Sequence, residues 1–585
     1  DREGQRLSLP NWIPGSYMIR DFARNIVTMT ASCNGKDLPI VKLDKSSWLI
    51  AGCDATLVID YQIYALDLSV RSAHLDNSHA FFNGTSLFLQ PAGLDDSLID
   101  IRIRQPLAGN RDWTVKTSLY PQQVDAAGYG MYRARNYEEL IDCPVEVSCS
   151  TDIHFLVHDV PHYLHLTGDL PQDLDEQVLG RDLAIVCSEH AALFNSELPM
   201  QEYRFLTMVV ENGYGGLEHK SSTALVCSPA DLPRKQHTEQ TSEYRKFLGL
   251  CSHEYFHLWN VKRIRPLVFQ QNDLSEEVHT TLLWAFEGIT SYYDDLALFR
   301  SKLISIENYL QLLAENLTRL YRSQGRFRQT LVDSSFDAWT RFYKQDENAP
   351  NAIVSYYTKG AIVALGLDIV LRQKSHNKVT LDDFMRRLWV DYGKKEIGVA
   401  EDDLEKLAEQ MLGESLHDFF QLCLRSNQEL PVETWLRNLG IGFRLRQEEN
   451  PADQGKFVKY EDLSEVSGSN SVLTLGCRLK NGSVEVMYVL NDSPAEKCGI
   501  CPGDTLVAIG GKRLTPENYD KSIAALSPGQ QVAIHVFRRE CLYEFFIQPE
   551  EKPKNVCDLY LMPDAELSEG QRGMLASWQA GNTTT

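Results

Sequence analysis

Residues 253–266 read HEYFHLWNVKRIRP, in which two histidines four positions apart enclose a glutamate. Positions i and i+4 of an α-helix share a face, so His253 and His257 can direct both imidazoles at one ion. Glu254 lies about 100° round the helix, where it can reach a water beside that ion. Zinc accepts neutral nitrogen ligands and keeps one position for water in catalytic sites. The motif therefore predicts one catalytic Zn²⁺; the alternative is a buried helix whose histidines bond to nearby backbone groups.

The predicted helix ends at the Arg265–Pro266 step, because the residue before proline avoids the α region. A third ligand is expected from a second helix, and WAFEGITSYYDDL (284–296) offers Glu287. Asp294 or Asp295 in the same stretch can accept a hydrogen bond from a ligand histidine. Without the histidine motif, Glu287 would be interpreted as an ordinary helix carboxylate.

Hydrolysis of a peptide also needs a donor for the developing oxyanion. Tyr357 in SYYTKG (355–360) is a neutral donor at a predicted helix start, and its neighbour Tyr356 is the less favoured choice. The alternative for Tyr357 is a buried structural tyrosine.

An exopeptidase needs an anion for the free ammonium of its substrate. Glu218 in YGGLEH (214–219) follows Gly215 and Gly216, which allow a substrate backbone to approach closely. The alternative for Glu218 is a plain carboxylate on an edge strand.

The composition excludes some partners. The 585 residues carry 80 acidic and 58 basic side chains, a net charge of -22, which repels nucleic acid and anionic membrane. The most apolar stretch, 360–371 (GAIVALGLDIVL), is short and contains Asp368, so it predicts a buried helix and no membrane span. Thirteen scattered cysteines favour reduced thiols in the cytoplasm over a disulfide framework.

The pattern along the chain predicts a multidomain α+β protein. Short alternating strands separated by turn residues suggest a β-rich N-terminal domain, 1–168. Helical periodicity then dominates a catalytic domain, 169–440. A PDZ-like β domain with its preceding linker is expected at 441–552, followed by a tail, 553–585.

The stretch SVEVMYVLNDSPAEKCGICPGDTLVAIGGKRL (483–514) resembles the PDZ domain. Its CxxC, Cys498 and Cys501, falls where PDZ domains have small core and turn residues, so a redox role is rejected. PDZ domains capture a peptide C-terminus in a backbone loop. The expected loop is Thr474-Leu475-Gly476-Cys477, and LGIGF (439–443) is the alternative.

Four motifs in order, NWIPGSYMIRDFARN (11–25), HEYFHLWNVKRIRP, WAFEGITSYY and SYYTKG, together resemble the glycyl aminopeptidase family of zinc peptidases. The resemblance covers nearly the whole chain. It implies a thermolysin-like catalytic domain behind a β-rich domain, and a preference for small N-terminal residues such as Gly and Ala.

In the wider group of zinc aminopeptidases, a G-x-M-E-N glutamate binds the substrate amine. The matching stretch here is Gly215-Gly216-Leu217-Glu218-His219, with Leu for Met and His for Asn, so the role of His219 stays open. The wider group's Y-x-K-G tyrosine corresponds to Tyr357.

The spacing between the ligands departs from that group, since twenty-nine residues separate His257 from Glu287 where the group has eighteen. An extra loop at 260–277 would account for the difference. The basic side chains in this loop either meet a substrate carboxylate or, as we favour, form salt bridges; they are Lys262, Arg263 and Arg265.

These features predict a zinc aminopeptidase acting on peptides with a free N-terminus. One alternative is a zinc endopeptidase guided by its PDZ domain. Another is an inactive scaffold that binds C-terminal peptides through that domain.

Overall fold

The computed structural model describes residues 4–106, 112–237, 239–271, 273–464 and 472–581. The first part of the chain forms antiparallel strands in four sheets, with orders β4-β5-β1-β9, β3-β2-β6, β11-β14-β8-β7 and β10-β13-β12. The elements are β1 (Gln5–Ser8), β2 (Ile26–Cys33), β3 (Lys36–Leu38), β4 (Ile40–Lys42), β5 (Ser47–Ile50), β6 (Leu57–Ile63), β7 (Ala73–Leu75), β8 (His79–Phe82), β9 (Gln90–Pro91), β10 (Ile99–Ile103), β11 (Thr114–Thr117), β12 (Tyr120–Val124), β13 (Gly130–Ala134), α1 (Tyr137–Ile141) and β14 (Val145–Ser148).

A five-stranded mixed sheet follows, with order β15-β16-β17-β19-β18. Its strands and the crossover helix are β15 (Thr151–Val157), β16 (Val160–Gly168), α2 (Glu176–Phe194), β17 (Tyr203–Val209), β18 (Gly215–Glu218) and β19 (Ser222–Cys227). Because β16 pairs in parallel with β17, this sheet continues across the domain boundary expected at residue 168. We therefore propose that the N-terminal domain ends before β15.

Helices dominate the next part of the chain, as the periodicity predicts. They are α3 (Ser242–Phe256), α4 (Leu283–Phe286), α5 (Gly288–Arg300), α6 (Ile306–Arg322), α7 (Leu331–Phe336), α8 (Ala349–Ala352), α9 (Thr358–Ser375), α10 (Leu381–Asp391), α11 (Asp403–Leu412), α12 (His417–Arg425) and α13 (Val432–Asn438). Helix α5 packs between α3 and α9. Helix α9 is almost entirely buried, which confirms the buried-helix interpretation of 360–371.

The C-terminal part contains the PDZ-like fold. The elements of the chain from residue 441 onward are β20 (Ile441–Gln447), β21 (Lys456–Phe457), β22 (Leu473–Thr474), β23 (Cys477–Leu479), β24 (Val486–Val489), α14 (Pro494–Cys498), β25 (Thr505–Ile509), β26 (Lys512–Arg513), α15 (Tyr519–Ala524), β27 (Val532–Arg538), β28 (Cys541–Ile547), β29 (Glu550–Glu551), β30 (Lys554–Leu561) and α16 (Glu569–Ala580).

Much of the segment expected as a tail, 553–585, forms a strand and a helix, β30 and α16. Strand β30 pairs antiparallel with β20. In the sequence, β20 precedes the PDZ-like fold and β30 follows it. Helix α16 buries Trp578, whose Nε1 donates a hydrogen bond to the Tyr292 hydroxyl on α5 at 2.9 Å. We therefore propose that β20, β30 and α16 belong to the catalytic part of the molecule.

The predicted PDZ loop connects β22 to β23. Leu475 is fully buried, and its carbonyl accepts from Ala495 N at 2.8 Å. Gly476 adopts a positive φ of 75°, and an added Cβ would lie 2.2 Å from Ser493 Cβ. Cys477 Sγ lies 3.8 Å from the Tyr519 hydroxyl on α15.

Asn351 joins the PDZ-like fold to the helical part through hydrogen bonds. Asn351 on α8 donates from Nδ2 to Val489 O at 2.8 Å, and its Oδ1 accepts from Asn491 N at 3.0 Å. Cys498 and Cys501 are free thiols at the end of α14 and in the following turn, as interpreted from the sequence.

Cys33 and Cys53 form a disulfide, an exception to the reduced thiols that the sequence favours. The other eleven cysteines are free. Within the described ranges, every helix is too short or too polar to pass through a bilayer.

Candidate active site

Helix α3 carries both motif histidines. Thr241 caps it, since its side chain accepts a hydrogen bond from Tyr244 N. The helix ends at Phe256, earlier than the Arg265–Pro266 step that the sequence predicts. His257 keeps helical dihedrals, φ -60° and ψ -18°, so the two imidazoles still share a face. The chain then turns, and Val261 adopts a φ of 95°, which a β-branched residue rarely does.

Three side chains converge as expected. Glu287 Oε2 lies 3.3 Å from His257 Nε2 and 3.7 Å from His253 Nε2. Ligand atoms around a tetrahedral zinc at usual bond lengths lie about 3.3 Å apart. The structure therefore brings together a donor set of two imidazoles and one carboxylate with the spacing that a single divalent cation requires.

Each imidazole is oriented by its other nitrogen. His253 Nδ1 lies 3.1 Å from Asp294 Oδ2, and His257 Nδ1 lies 2.8 Å from the Asn260 carbonyl. Of the two aspartates considered from the sequence, Asp294 is the one in contact. These bonds leave both Nε2 atoms available, as metal sites with outer partners require.

Asn260, the last residue of HEYFHLWN, also fixes the glutamate. Its Nδ2 donates to the carbonyls of Ala285 and Phe286, at 3.1 and 3.2 Å, and to Thr290 Oγ1 at 3.1 Å. The same side chain thus joins the end of α3 to the α4–α5 junction that bears Glu287. Sequence reasoning did not identify this role.

Tyr17 is a second residue without a predicted role. It belongs to the early stretch 11–25, and its hydroxyl donates to Glu287 Oε1 at 3.2 Å. Burial, followed by Glu287, raises the pKa of Tyr17 well above its ordinary value, so it stays a donor. The N-terminal domain therefore takes part in positioning the third convergent side chain.

Glu254 and Glu218 face the same space. One carboxylate oxygen of each, and one nitrogen of His257, lie within 4.8 Å of one another. Glu254 Oε2 and Glu218 Oε1 are buried and have no hydrogen-bond partner among the described residues. Burial raises the pKa of Glu254 to about 7; His253 and His257 act against it, and the neighbouring Glu218 and Glu287 act with it. A carboxylate with this pKa suits a general base near neutral pH.

Two glycines, Gly216 of β18 and Gly15 of the N-terminal domain, leave room for these carboxylates. A Cβ at Gly216 would lie 2.2 Å from Glu254 Oε1. On the other side, a Cβ at Gly15 would lie 2.5 Å from Glu218 Oε2. Arg71 donates to Gly216 O at 3.3 Å, which adds a third side chain that the sequence did not indicate.

Tyr357 lies just before α9, and its ring centroid is 6.2 Å from that of His253. Burial raises its pKa well above the ordinary value, so it remains a neutral donor. Tyr356, the less favoured choice, is fully buried. Tyr357 lines the cleft together with Tyr343, whereas Tyr356 does not.

Two cavities meet at Glu218. A cleft of about 600 Å³ contains the histidines, Glu287, Glu254 and Tyr357. A second cavity of about 300 Å³ extends from Gly15 and Glu218 into the N-terminal domain, and its walls include Trp12, Tyr17, Tyr137 and Phe269. Glu218 stands at the junction of the two.

Two acidic side chains of α1 and its C-terminal end pair with nearby basic residues. Asp142 contacts His219 and Lys262, and Glu138 contacts Arg265. His219 Nδ1 lies 3.3 Å from Asp142 Oδ1, and Lys262 Nζ lies 2.7 Å from the same oxygen. Arg265 pairs with Glu138 at 3.1 Å. These ion pairs are the kind of contact that the favoured interpretation expects, and both basic side chains also line the cavity beside Glu218. Arg263 instead donates to main-chain carbonyls.

The fold and this cleft define the class of the protein as a peptidase. Residues 246–363 match the profile of the M61 glycyl aminopeptidase, residues 1–149 match the M61 N-terminal domain, and residues 485–539 match a PDZ domain. The chain belongs to the M61 glycyl aminopeptidase family, as the four motifs indicated.

One solved structure is similar over nearly the whole chain. An aminopeptidase N family protein from Idiomarina loihiensis is 37% identical, with a TM-score of 0.92 over 99% of this chain and 96% of that chain. Two more distant likenesses do not bear on the site. An M1 zinc metallopeptidase from Deinococcus radiodurans is 12% identical (TM-score 0.46; 74% and 89% covered). Aminopeptidase A from Legionella pneumophila, in complex with aspartic acid, is 14% identical (TM-score 0.46; 77% and 47% covered). Among curated proteins, no sequence matches the chain.

Proposed function

We propose that the protein is a zinc-dependent aminopeptidase that removes small residues from the free N-terminus of peptides. The observation that carries the proposal is the pair of buried carboxylates, Glu218 and Glu254, beside the two histidines and Glu287. Each carboxylate has an oxygen without a partner among the described residues. A buried, unpaired carboxylate costs free energy, and a substrate ammonium and an attacking water would relieve that cost.

His253, His257 and Glu287 would hold the zinc. The set combines two neutral nitrogen donors with a carboxylate, which suits zinc and leaves a position open. When bound, zinc supplies a Lewis acid that polarises the scissile carbonyl and makes nearby water more acidic.

Two side chains of the protein perform proton transfer and stabilise the oxyanion. Glu254 accepts a proton from the attacking water and returns it to the leaving amine nitrogen. The Tyr357 hydroxyl donates a hydrogen bond to the oxyanion as it develops. Both side chains line the same cleft.

Glu218 would set the register of the substrate. It ends β18, an edge strand that, among the strands the structure describes, pairs only with β19. The free edge can accept a substrate backbone as an added strand, and Gly215 and Gly216 keep that edge open. His219 lines the neighbouring cavity beside Glu218. An acylated N-terminus would leave the Glu218 carboxylate unpaired, so such substrates are rejected.

The preference for Gly and Ala rests on the family, and the cavity of about 300 Å³ beside Glu218 makes it testable. Comparison of Gly, Ala, Leu and Phe aminoacyl amides should give the highest kcat/KM for the two small residues. A higher value for Leu or Phe would assign this cavity to a large first side chain and refute the preference.

The central experiment compares Gly and Ala chromogenic amides with their N-acetylated counterparts, for wild type and Glu254→Gln. We expect cleavage of free-amine substrates only, reduced at least about 100-fold in the variant while zinc content is unchanged. Glu218→Gln should raise KM for the free amines, since the ammonium loses its charged partner.

Other outcomes would contradict the proposal. Equal cleavage of acetylated substrates would refute the role of Glu218 and favour an endopeptidase guided by the PDZ domain. No cleavage by zinc-replete wild type would favour the peptide-binding scaffold. Binding of C-terminal peptides, which we propose for the Leu475-Gly476-Cys477 loop, is measured separately by titration with free and amidated peptides.

We place the protein in the cytoplasm, a location that the eleven free thiols support and the Cys33–Cys53 disulfide does not. Cell fractionation tests this directly.

A further inference from the structure

The hairpin β7–β8 of the N-terminal domain carries two histidines and an aspartate on one face. The sequence HLDNSH runs from His74 to His79. Asp76 N donates to His79 O at 3.1 Å, which closes a tight turn and places these two residues opposite each other. His74 lies two positions before Asp76, and side chains two apart along a strand share a face. Residues 74, 76 and 79 therefore point the same way.

These side chains lie close together, and two of them are buried. One donor atom of each, a histidine nitrogen or a carboxylate oxygen, lies within 4.8 Å of the others. His79 is 1% exposed and His74 is 8% exposed, while Asp76 is exposed at the turn. The two imidazole rings are nearly parallel, with centroids 4.8 Å apart.

One nitrogen of each histidine is buried without a partner. His74 Nδ1 and His79 Nε2 have no hydrogen bond among the described residues. Two unpaired buried nitrogens at one place are costly if the pair serves packing alone. They border a cavity of about 20 Å³ between the hairpin and the strands β17 and β19. That space suits one ion or one water.

Glu146 on the neighbouring strand β14 completes the arrangement. Its Oε1 lies 3.2 Å from His79 Nδ1, the nitrogen opposite the unpaired one. A carboxylate behind a histidine fixes the ring and raises the basicity of the free nitrogen, which is the usual arrangement behind a metal ligand. His74, Asp76 and His79 thus offer the same three donors as the cleft, two imidazoles and a carboxylate.

We propose that His74, Asp76 and His79 form a second site for a divalent cation of the zinc class, outside the catalytic cleft. Imidazole donors favour such cations over Ca²⁺ or Mg²⁺. Exposed Asp76 provides the entry path, and one of its carboxylate oxygens already lies within 4.8 Å of the histidine nitrogens.

The position of the proposed cation site in the fold gives a bound cation a structural role. Its cavity is lined by residues 224–226 of β19, and these pair with residues 215–217 of β18. The segment leading into the hairpin carries Arg71, which bonds Gly216 O. A cation here would hold the N-terminal domain against the strand that bears Glu218.

The experiment counts cations bound by the full chain after chelation and reloading with Zn²⁺ or Co²⁺. Metal content is measured by mass spectrometry, and Co²⁺ ligation by its visible absorption. We expect two equivalents in wild type and one in His253→Ala/His257→Ala. In that background, Asp76→Asn should weaken the remaining equivalent at least about tenfold, and His79→Ala should remove it.

The matched control is Asp67→Asn in the same background. Asp67 is also exposed, and its Oδ1 accepts from Ser69 N just as Asp76 Oδ1 accepts from Ser78 N. It should keep the equivalent. Should His79→Ala fail to fold, Asp76→Asn decides, because asparagine can still accept the turn hydrogen bond. The proposal is overturned if wild type binds one equivalent, or if Asp76→Asn binds the second as tightly as its control.

Discussion

At the residue scale, the geometry of the candidate site depends on glycines, which leave room for the neighbouring carboxylates. Gly216 is the clearest case, since a Cβ there would lie 2.2 Å from Glu254 Oε1. Its backbone dihedrals do not require glycine, because it is not in the positive-φ region. Space next to the carboxylate is therefore the reason for glycine at this position.

The first prediction is that Gly216→Ala lowers kcat/KM about 100-fold or more, because the proposed base must leave its position. Zinc content and thermal stability should change little, since Glu254 is not among the proposed ligands. Steady-state kinetics with a Gly amide and metal analysis measure the two effects. Unchanged kinetics would show that Glu254 does not act from the position seen here.

The sequence predicts the local part of this site and misses the distant part. The His253–His257 spacing and the neighbouring Glu287 follow from helical geometry, and the structure brings all three together. Tyr17 and Asn260 were missed as partners of this group, because Tyr17 is 270 residues from Glu287 and Asn260 acts through carbonyls that carry no sequence signal. Arg71 was missed for the same reason.

At the element scale, two helices meet at a pair of glycines. A Cβ on Gly360 of α9 would lie 2.7 Å from Trp284 O and 2.9 Å from Gly288 Cα on α5. This contact sets the distance between Glu287, which precedes α5, and Tyr357, which precedes α9. Glycine is therefore required at positions 288 and 360 because the two helices are in close contact there.

The second prediction follows from that contact. Gly360→Ala should destabilise the protein by about 1–3 kcal/mol through overpacking, and should also reduce kcat. Denaturant unfolding and kinetics check both. The control is Gly573→Ala on α16, where an added Cβ meets nothing within 4 Å, and it should be neutral or slightly stabilising. Equal stability of the two variants would contradict the packing argument.

Element boundaries were predicted less well than element types. The ligand helix ends at Phe256 and not at Arg265, because a strained turn at Val261 places Asn260 against the α4–α5 junction. Tertiary contacts decide such ends, and one sequence does not contain them.

At the scale of the whole molecule, Asp142 ties the N-terminal domain to the catalytic domain. It accepts Lys220 N at 2.8 Å and pairs with Lys262 at 2.7 Å. Burial raises the pKa of Asp142, but Lys262 and His219 outweigh it, and the net pKa lies far below the ordinary value. A depressed carboxyl pKa stabilises the fold above the pKa of the unfolded state, near 4.

The third prediction follows from this stabilisation of the fold by the ionised Asp142. Asp142→Asn leaves Lys262 buried without its charge partner and should cost about 3 kcal/mol near neutral pH. The difference from wild type should shrink as the pH falls below about 4, because wild type loses the same contribution there. Unfolding measured from pH 3 to pH 7 checks this. A difference that is constant across the range would show that the ion pair is not its cause.

The last prediction concerns the C-terminal helix, which the sequence suggested was part of a tail. Trp578 on α16 is fully buried, and its carbonyl accepts from Arg300 Nε at 3.1 Å on α5. Trp578→Ala should cost about 3–5 kcal/mol through the cavity it leaves. Trp578→Phe should cost less, because it keeps most of the packing and loses only the hydrogen bond to Tyr292. The control Arg572→Ala on the exposed face should change stability by less than about 0.5 kcal/mol.

Since α5 directly follows Glu287, loss of zinc affinity should accompany the loss of stability in Trp578→Ala. If the alanine variant unfolds like wild type and keeps its zinc, α16 is an accessory helix and the catalytic fold is complete without it.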